Sequence, residues 1–475
     1  MSHPTTTPCV LFPDLFGKPL TARFDVPNAS SDGGALLLKA ADRRLGLIGA
    51  LTDCLRDQRQ PGKVVHGLQE LIAQRVFGIA CGYADANDSA RLAADPIHKL
   101  LLDRDPIDGD PLASQPTLSR FENSVGRGRL YRMGEALFET VIAPYRRRRR
   151  TVRHITVDLD PTDDPTHGAQ QLSFFNHHYD TWCYLPMVAY LTFNRGAEQQ
   201  LCAAVLRPGN APTSRGALPL LQRILGRLQE DFPAARILVR LDGGYAGPEL
   251  LAFLDEVDVD YVVGVARNAV LKRHAALAML DAQQLADARG ETAHVYTECR
   301  YAAGTWDRER RVIIKAEVVQ LAGREPRDNP RFVVTNLTRS PKRIYERIYC
   351  ARGDLENRIK ELHHGVEIDR TSCSRFWANQ LRVLLSAAAY VLFQELRRAA
   401  AGTGTRSTHR VDAQHWARKL RSVASSRRSL GLETFPDGQV ACLAPSGRSP
   451  RASVKERCDL DERFTPFGPP LARSS

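Results

Sequence analysis

Between Ile155 and Asp164 an apolar strand runs out into carboxylates, and this stretch constrains the chain more than any other. Ile155, Val157 and Leu159 alternate with Thr156, Asp158 and Asp160, so the two sets fall on opposite faces of a strand, and Pro161 stops it before Thr162-Asp163-Asp164. Carboxylates at the mouth of a buried strand are costly unless they are paired or bound to a cation. Two readings stand here: a cation site, or a solvated strand end with a turn. Two later segments have the same character. The predicted strand Ile237 to Asp242 also ends in a carboxylate, and a predicted helix carries Glu356.

Composition bounds the rest. A chain of 475 residues exceeds one ordinary core, so two or three domains are expected, and 43% hydrophobic residues is enough to build them. The net charge of +12 points to a polyanionic partner, with nucleic acid first, because Lys and Arg gain affinity by releasing counterions from phosphate backbones. The alternative is a basic but inert surface. The ten cysteines show no Cys-x-x-Cys and no zinc-ligand spacing with His, which argues against a disulfide framework or a zinc finger and fits a reducing cytosol. No basic segment with an apolar core opens the chain, and no apolar run reaches the ~18 residues of a membrane span. A soluble, cytoplasmic, nucleoid-associated protein is expected.

Residues 1–150 read as a helical DNA-binding region. Leu68, Leu71, Ile72, Val76 and Ile79 share one helix face after Pro61-Gly62, and further helices are predicted near Gly34 to Leu45 and Leu130 to Ile142. Ser114 to Arg120 reads as a capped, proline-started helix whose Thr117, Ser119 and Arg120 suit a major groove, although short capped helices are common. The run Arg146, Arg147, Arg148, Arg149, Arg150 marks a boundary, either a solvated linker or a phosphate clamp close to the carboxylates.

From 151 to 265 the pattern is βββαβαβ, an antiparallel meander followed by helix-linked strands, which gives a mixed sheet with helices on its faces. Residues 266–331 read as a β-rich insertion, with predicted strands at Val295 to Tyr301 and Val312 to Val319. Residues 332–400 return to the core with the Glu356 helix. Residues 401–475 read as a basic, poorly ordered tail.

Arg343 to Leu362 is predicted as one helix. At about 100° per residue, Ile344, Ile348, Ala351, Leu355, Ile359 and Leu362 form one stripe, while Tyr345, Tyr349, Arg352, Glu356 and His363 form an adjacent one. Lys360 lies just beyond, and Asp354 sits at the opposite edge of the apolar face. Gly353 costs this helix about 1 kcal/mol relative to Ala. The plain alternative is an Arg352–Glu356 surface pair worth a few tenths of a kcal/mol.

Two strand-end aspartates followed by Tyr349-x-x-Arg352-x-x-x-Glu356 resemble the DDE transposases of bacterial insertion sequences that carry a Tyr-Arg-Glu-Lys signature. Ser31-Asp32-Gly33-Gly34, Gly82-Tyr83-x-Asp85-x-Asn87-Asp88, Ser114 to Asn123, Thr162-Asp163-Asp164-Pro165-x-His167-Gly168 and Glu356-Asn357-Arg358-Ile359-Lys360-Glu361 are similar to the family called thirteen-eighty, over about residues 10 to 400. The signature's Lys falls on His363, so Lys360 or His363 serves in its place or the role is absent.

The resemblance implies an α/β, ribonuclease H-like mixed-sheet core with Asp160, Asp242 and Glu356 holding two Mg²⁺ ions, for which Mn²⁺ can substitute. Tyr349 and Arg352 would hold phosphates beside the scissile bond. Asp160 is expected ahead of Asp158 as the first ligand because it is nearest the strand end. Trp306, at a predicted hairpin tip in the insertion, corresponds by position to a base-stacking tryptophan, and its alternative is packing on the insertion's own core. The implied activity is binding of terminal inverted repeats in double-stranded DNA by a homodimer or larger oligomer, cleavage of the ends, and joining to target DNA. The other classes left open are a repair or recombination nuclease on the same core and a domesticated, non-catalytic DNA-binding protein.

Overall fold

A computed structural model describes residues 30–401 apart from 195 and 197, together with the backbone of strands at 9–11, 20–23, 29–30, 430–434 and 440–443. The expected meander is present. β1 (His154–Pro161), β2 (Met187–Phe193) and β3 (Gln199–Val205) pair antiparallel in succession. On the other side of β1, β4 (Arg236–Leu241) and β5 (Asp260–Val265) lie parallel to it and to each other. Ala217–Asp231 and Pro248–Glu256 are the crossover helices that parallel pairing requires.

Residues 266–331 do not stand apart as an inserted subdomain. β6 (Ala293–Tyr301) and β7 (Arg310–Val319) join β8 (Arg331–Thr335) to extend the same sheet, giving the order β6-β7-β8-β5-β4-β1-β2-β3, with Arg327–Asp328 paired to β7. The cause lies in β8, whose two edges are taken by β5 and β7. Consecutive Val312, Ile313 and Ile314 are all buried, so β7 is covered on both faces like an interior strand.

The longest helices before the sheet are α1 (Ala35–Leu45), α2 (Leu68–Ala80), α3 (Gln115–Ser124) and α4 (Arg127–Arg146). They do not form a unit with its own core. The 26-residue helix Phe376–Ala401 packs against all four of them and against β3, and one apolar core runs from Ala35 through the strands to Phe393. This helix alone, among the described residues, has the length and apolar content of a membrane span, but 94% of that stretch is buried inside the protein. Its middle stretch, Val383 to Phe393, apolar but for Ser386, is buried throughout, and α1 to α4 and the sheet enclose it. Most of the tail lies outside the described residues. Its strands Leu430–Thr434 and Val440–Leu443 pair into a small five-stranded sheet with Cys9–Leu11, Leu20–Arg23 and Ala29–Ser30, and the expectation for the rest of the tail lies outside the described residues.

Candidate active site

β1 and β4 run parallel with Asp158 opposite Arg240, so both strands end at one edge of the sheet. Side chains alternate with a period of two, and Asp160 and Asp242 therefore emerge together, two positions further on. Open α/β sheets place their ligands beyond such carboxyl ends. Asp242 Oδ1 accepts the Gly244 N–H at 2.9 Å and so caps the turn Gly243–Tyr245, which fixes where its carboxylate sits. On the neighbouring β5, Gly264 leaves room that a Cβ would fill: it would meet Gly243 N at 2.7 Å and the Tyr349 hydroxyl at 2.8 Å. The absence of a side chain there lets the Tyr349 phenol lie against the strand beside Asp242.

The segment that carries Glu356 is not one regular helix. Pro341–Arg343 opens it, Ile344–Tyr349 is a wide π turn, Cys350–Arg352 is a tight 3₁₀ turn, and only Gly353–Val366 is α-helix. Under-winding followed by over-winding largely offset in phase. Ile344, Leu355 and Leu362 are accordingly all fully buried on one stripe, as a uniform helix would have placed them. Tyr345 and Tyr349 stack in tilted contact, their ring centroids 5.5 Å apart. Both pack on the sheet with Val262, Ile313 and Val333.

Arg352 Nη2 lies 2.6 Å from Asp160 Oδ1, an ion pair, and its buried Nε has no hydrogen-bond partner. Burial chiefly pushes the Asp160 carboxyl up to about 7; the Asp242 and Glu356 carboxylates add to the rise, and the Arg352 guanidinium opposes it. Asp160, Asp242, Glu356 and Arg352 thus share one electrostatic environment. Glu356 and Asp354 are both exposed on this helix, and of the two only Glu356 is among the main charges acting on Asp160.

Asp158 differs from Asp160. It is fully buried and held by the Arg240 fork at 2.8 and 2.7 Å, with Gln199 Nε2 donating to it at 3.0 Å. Of the two candidates for the signature's Lys, Lys360 is exposed, whereas His363 is tied in place. Its Nε2 meets the Thr162 hydroxyl at 2.7 Å and its Nδ1 pairs with Asp369 at 3.0 Å. A polar pocket of about 290 Å³ opens beside it, between His167, Gln170, Arg370 and Ser372.

Other expected positions move. Trp306 is not exposed at a hairpin tip: it is 9% exposed, and its indole N–H donates to Ala246 O at 3.1 Å. Tyr301 meets its ring edge-on, and Arg310 lies over its face at 5.5 Å. It belongs to the main core because β6 and β7 joined the main sheet, and it props the turn that follows Asp242. The arginine run sits at the opposite end of β1 from Asp160, roughly 20 Å away at 3.3 Å per residue, and so cannot clamp phosphate beside the carboxylates. Arg146 is spent on Glu139 and Asp231, at 2.8 and 3.6 Å, while Arg147 to Arg150 are exposed. In α3, Arg120 is exposed, but Thr117 and Ser119 are half-buried.

Sequence reading takes Gln171 to Phe193, with Tyr179, Trp182, Tyr184 and Tyr190, as one long β-rich stretch and misses the aromatic hairpin within it. Phe174–Asn176 pairs with Thr181–Tyr184, which pairs with Asp164–Pro165 just past the end of β1. Trp182 is 58% exposed and meets the partly exposed Phe175 edge-on at 6.3 Å. Tyr179 sits close enough for burial, with Asp163 and Asp160, to raise its phenol to about 12. Alternation gives no signal for the exposure of Trp182, since Trp182 and Tyr184 fall on one face of the strand and Tyr184 is fully buried.

The parallel strand ends thus bring Asp160 and Asp242 to one edge of the sheet, within reach of the charge on Glu356. The chain matches the family model of the transposase DDE domain, group 1, over residues 12–425, and it belongs to that family of DNA-cleaving transposases. Comparison with curated proteins returns no match. Among solved structures it is similar to the piggyBac transposase in a synaptic complex with hairpin DNA, at 10% identity and a TM-score of 0.41, covering 82% of this chain and 76% of that one.

Proposed function

We propose that the chain is an insertion-sequence transposase of the thirteen-eighty group, with a ribonuclease H-like core in which Asp160, Asp242 and Glu356 hold two Mg²⁺ ions. The observation that carries this reading is the electrostatics at Asp160: a half-buried carboxyl that feels the charges of Asp242 and Glu356, with the Arg352 guanidinium 2.6 Å away where positive charge is needed. The donors also fit. They are hard carboxylate oxygens, suited to Mg²⁺ or Mn²⁺ and unsuited to softer metals. Bound there, the ions supply activation of the attacking oxygen and stabilisation of the leaving oxygen for an in-line displacement.

The protein's own groups bind and orient the DNA. The partnerless Nε of Arg352 and the Tyr349 phenol offer donors to a backbone phosphate next to the scissile bond. His363, braced by Asp369 and hydrogen-bonded to Thr162, takes the place of the signature's Lys on the cleft side, in preference to Lys360. The exposed faces of Phe175 and Trp182, beside the cleft, offer stacking surfaces for bases in the place that Trp306 vacates. The helical residues 1–150 contact the terminal repeats through Thr117, Ser119 and Arg120, and Arg147 to Arg150 hold flanking duplex, with two or more chains assembled on the DNA.

The test is incubation of pre-cleaved ends of the element with plasmid target and Mg²⁺. Joined products are expected from the unaltered chain and none from Glu356→Gln. Cutting without joining would replace this reading with a repair or recombination nuclease. Binding without either would leave a non-catalytic DNA-binding protein.

A further inference from the structure

The three elements that bear Asp160, Asp242 and Glu356 are joined by one side chain that takes no part in the reaction itself. Arg240 is buried on β4, two residues before Asp242. Its Nε and Nη2 donate to the two oxygens of Asp158, two residues before Asp160 on β1, at 2.8 and 2.7 Å. Its Nη1 donates to the Ile348 carbonyl at 3.1 Å, within the π turn that leads to Tyr349, Arg352 and Glu356. The register explains the first contact, since Asp158 and Arg240 are Cα partners in a parallel pair. The third bond reaches across to the helical segment. A guanidinium is planar, and its donors diverge at fixed angles, so one Arg bound on two sides fixes position and rotation together.

We propose that Asp158 and Arg240 form a brace that sets the spacing of the three acidic residues, with Arg240 as the positioning residue; this rests on the metal-site reading above. Stability alone gives no reason for such a pair. A buried ion pair replaced by apolar side chains of similar volume is often as stable or more so. An apolar pair, however, has nothing to hold the Ile348 carbonyl, and the helical segment is then free to settle by packing alone. The brace lies two residues, about 7 Å, behind the carboxylates. Metal sites tolerate only about 0.5 Å of error, so small shifts at that depth reach the ligands.

The experiment uses the full chain and the double variant Asp158→Val/Arg240→Met, with Mn²⁺ binding followed by electron paramagnetic resonance and folding by thermal melting. The expected result is a melting temperature near that of the unaltered chain and Mn²⁺ affinity at least tenfold weaker, with the Mn²⁺ concentration for half-maximal end cleavage rising in step. Unchanged Mn²⁺ affinity in the folded double variant overturns the brace and leaves the metal site standing. Should the double variant not fold, Arg240→Lys keeps the charge opposite Asp158 but cannot span to Ile348; it is expected to weaken Mn²⁺ severalfold, and an unchanged affinity overturns the proposal. If the unaltered chain binds no Mn²⁺ that Glu356→Gln removes, the metal-site reading falls and the brace falls with it.

Discussion

Asp160 is one of several carboxyls that burial pushes up, with Asp42, Asp158 and Asp164, and together they shape the pH behaviour of the metal-free protein. The Asp160 carboxyl titrates near 7 when folded and near 3.8 when unfolded, so the folded state holds the extra proton between those values, and stability declines as pH rises through that window. Asp160→Asn is expected to make that decline shallower, measured by urea unfolding in the presence of a chelator. A pH profile as steep in the variant as in the unaltered chain would contradict this. At the same scale, Glu356→Gln is expected to retain end binding while cleavage and joining fall by orders of magnitude, and Asp354→Asn to keep most activity, as read by paired binding and strand-transfer assays. The angle between the two residues was legible in the sequence, because it is a property of any helix. The role of Asp158 was not: strand alternation puts it on the same face as Asp160, and its partner lies 82 residues away. Trp306 misled for a related reason. Local turn residues predict a tip, whereas the strands on either side decide whether that tip meets water or core.

Among the elements, the segment from Pro341 to Val366 shows how far periodicity carries. The buried stripe was readable, yet the π and 3₁₀ turns were not, because they arise where Tyr345 and Tyr349 pack on the sheet rather than from any local signal. Gly353 has open space around its Cα and an ordinary right-handed conformation. Gly353→Ala is therefore expected to stabilise the protein by up to about 1 kcal/mol in urea melts and to leave the site in place. Gly264→Ala is the opposite case. Its Cβ would strike backbone at Gly243 and the Tyr349 hydroxyl, so a loss of about 1 to 3 kcal/mol in unfolding free energy is expected, together with weaker cleavage, because the phenol and the Asp242 turn both shift.

Over the whole molecule, charge was legible from composition, but its placement was not. With Arg146 already paired, replacing Arg147 to Arg150 with Gln is expected to weaken specific and random duplexes alike and to lower the slope of log affinity against log salt by up to about 3 to 4, seen by titration at several ionic strengths. Loss of discrimination with random-duplex affinity intact would contradict a backbone role. Domain boundaries were the least readable feature, since composition shifts mark where helices give way to strands but not whether the two share a core. Here they share it through the helix Phe376–Ala401, which lies near the C-terminal end of the described chain and is packed by elements from almost everywhere before it. A shortened gene product ending before Phe376 therefore lacks the floor of both its halves. Such a fragment would leave the faces of α1 to α4 that meet this helix without cover and is expected to be cleared as unfolded chain. Truncated copies of this gene are thus poorly suited to persist as competitors that occupy DNA ends and silence the intact enzyme.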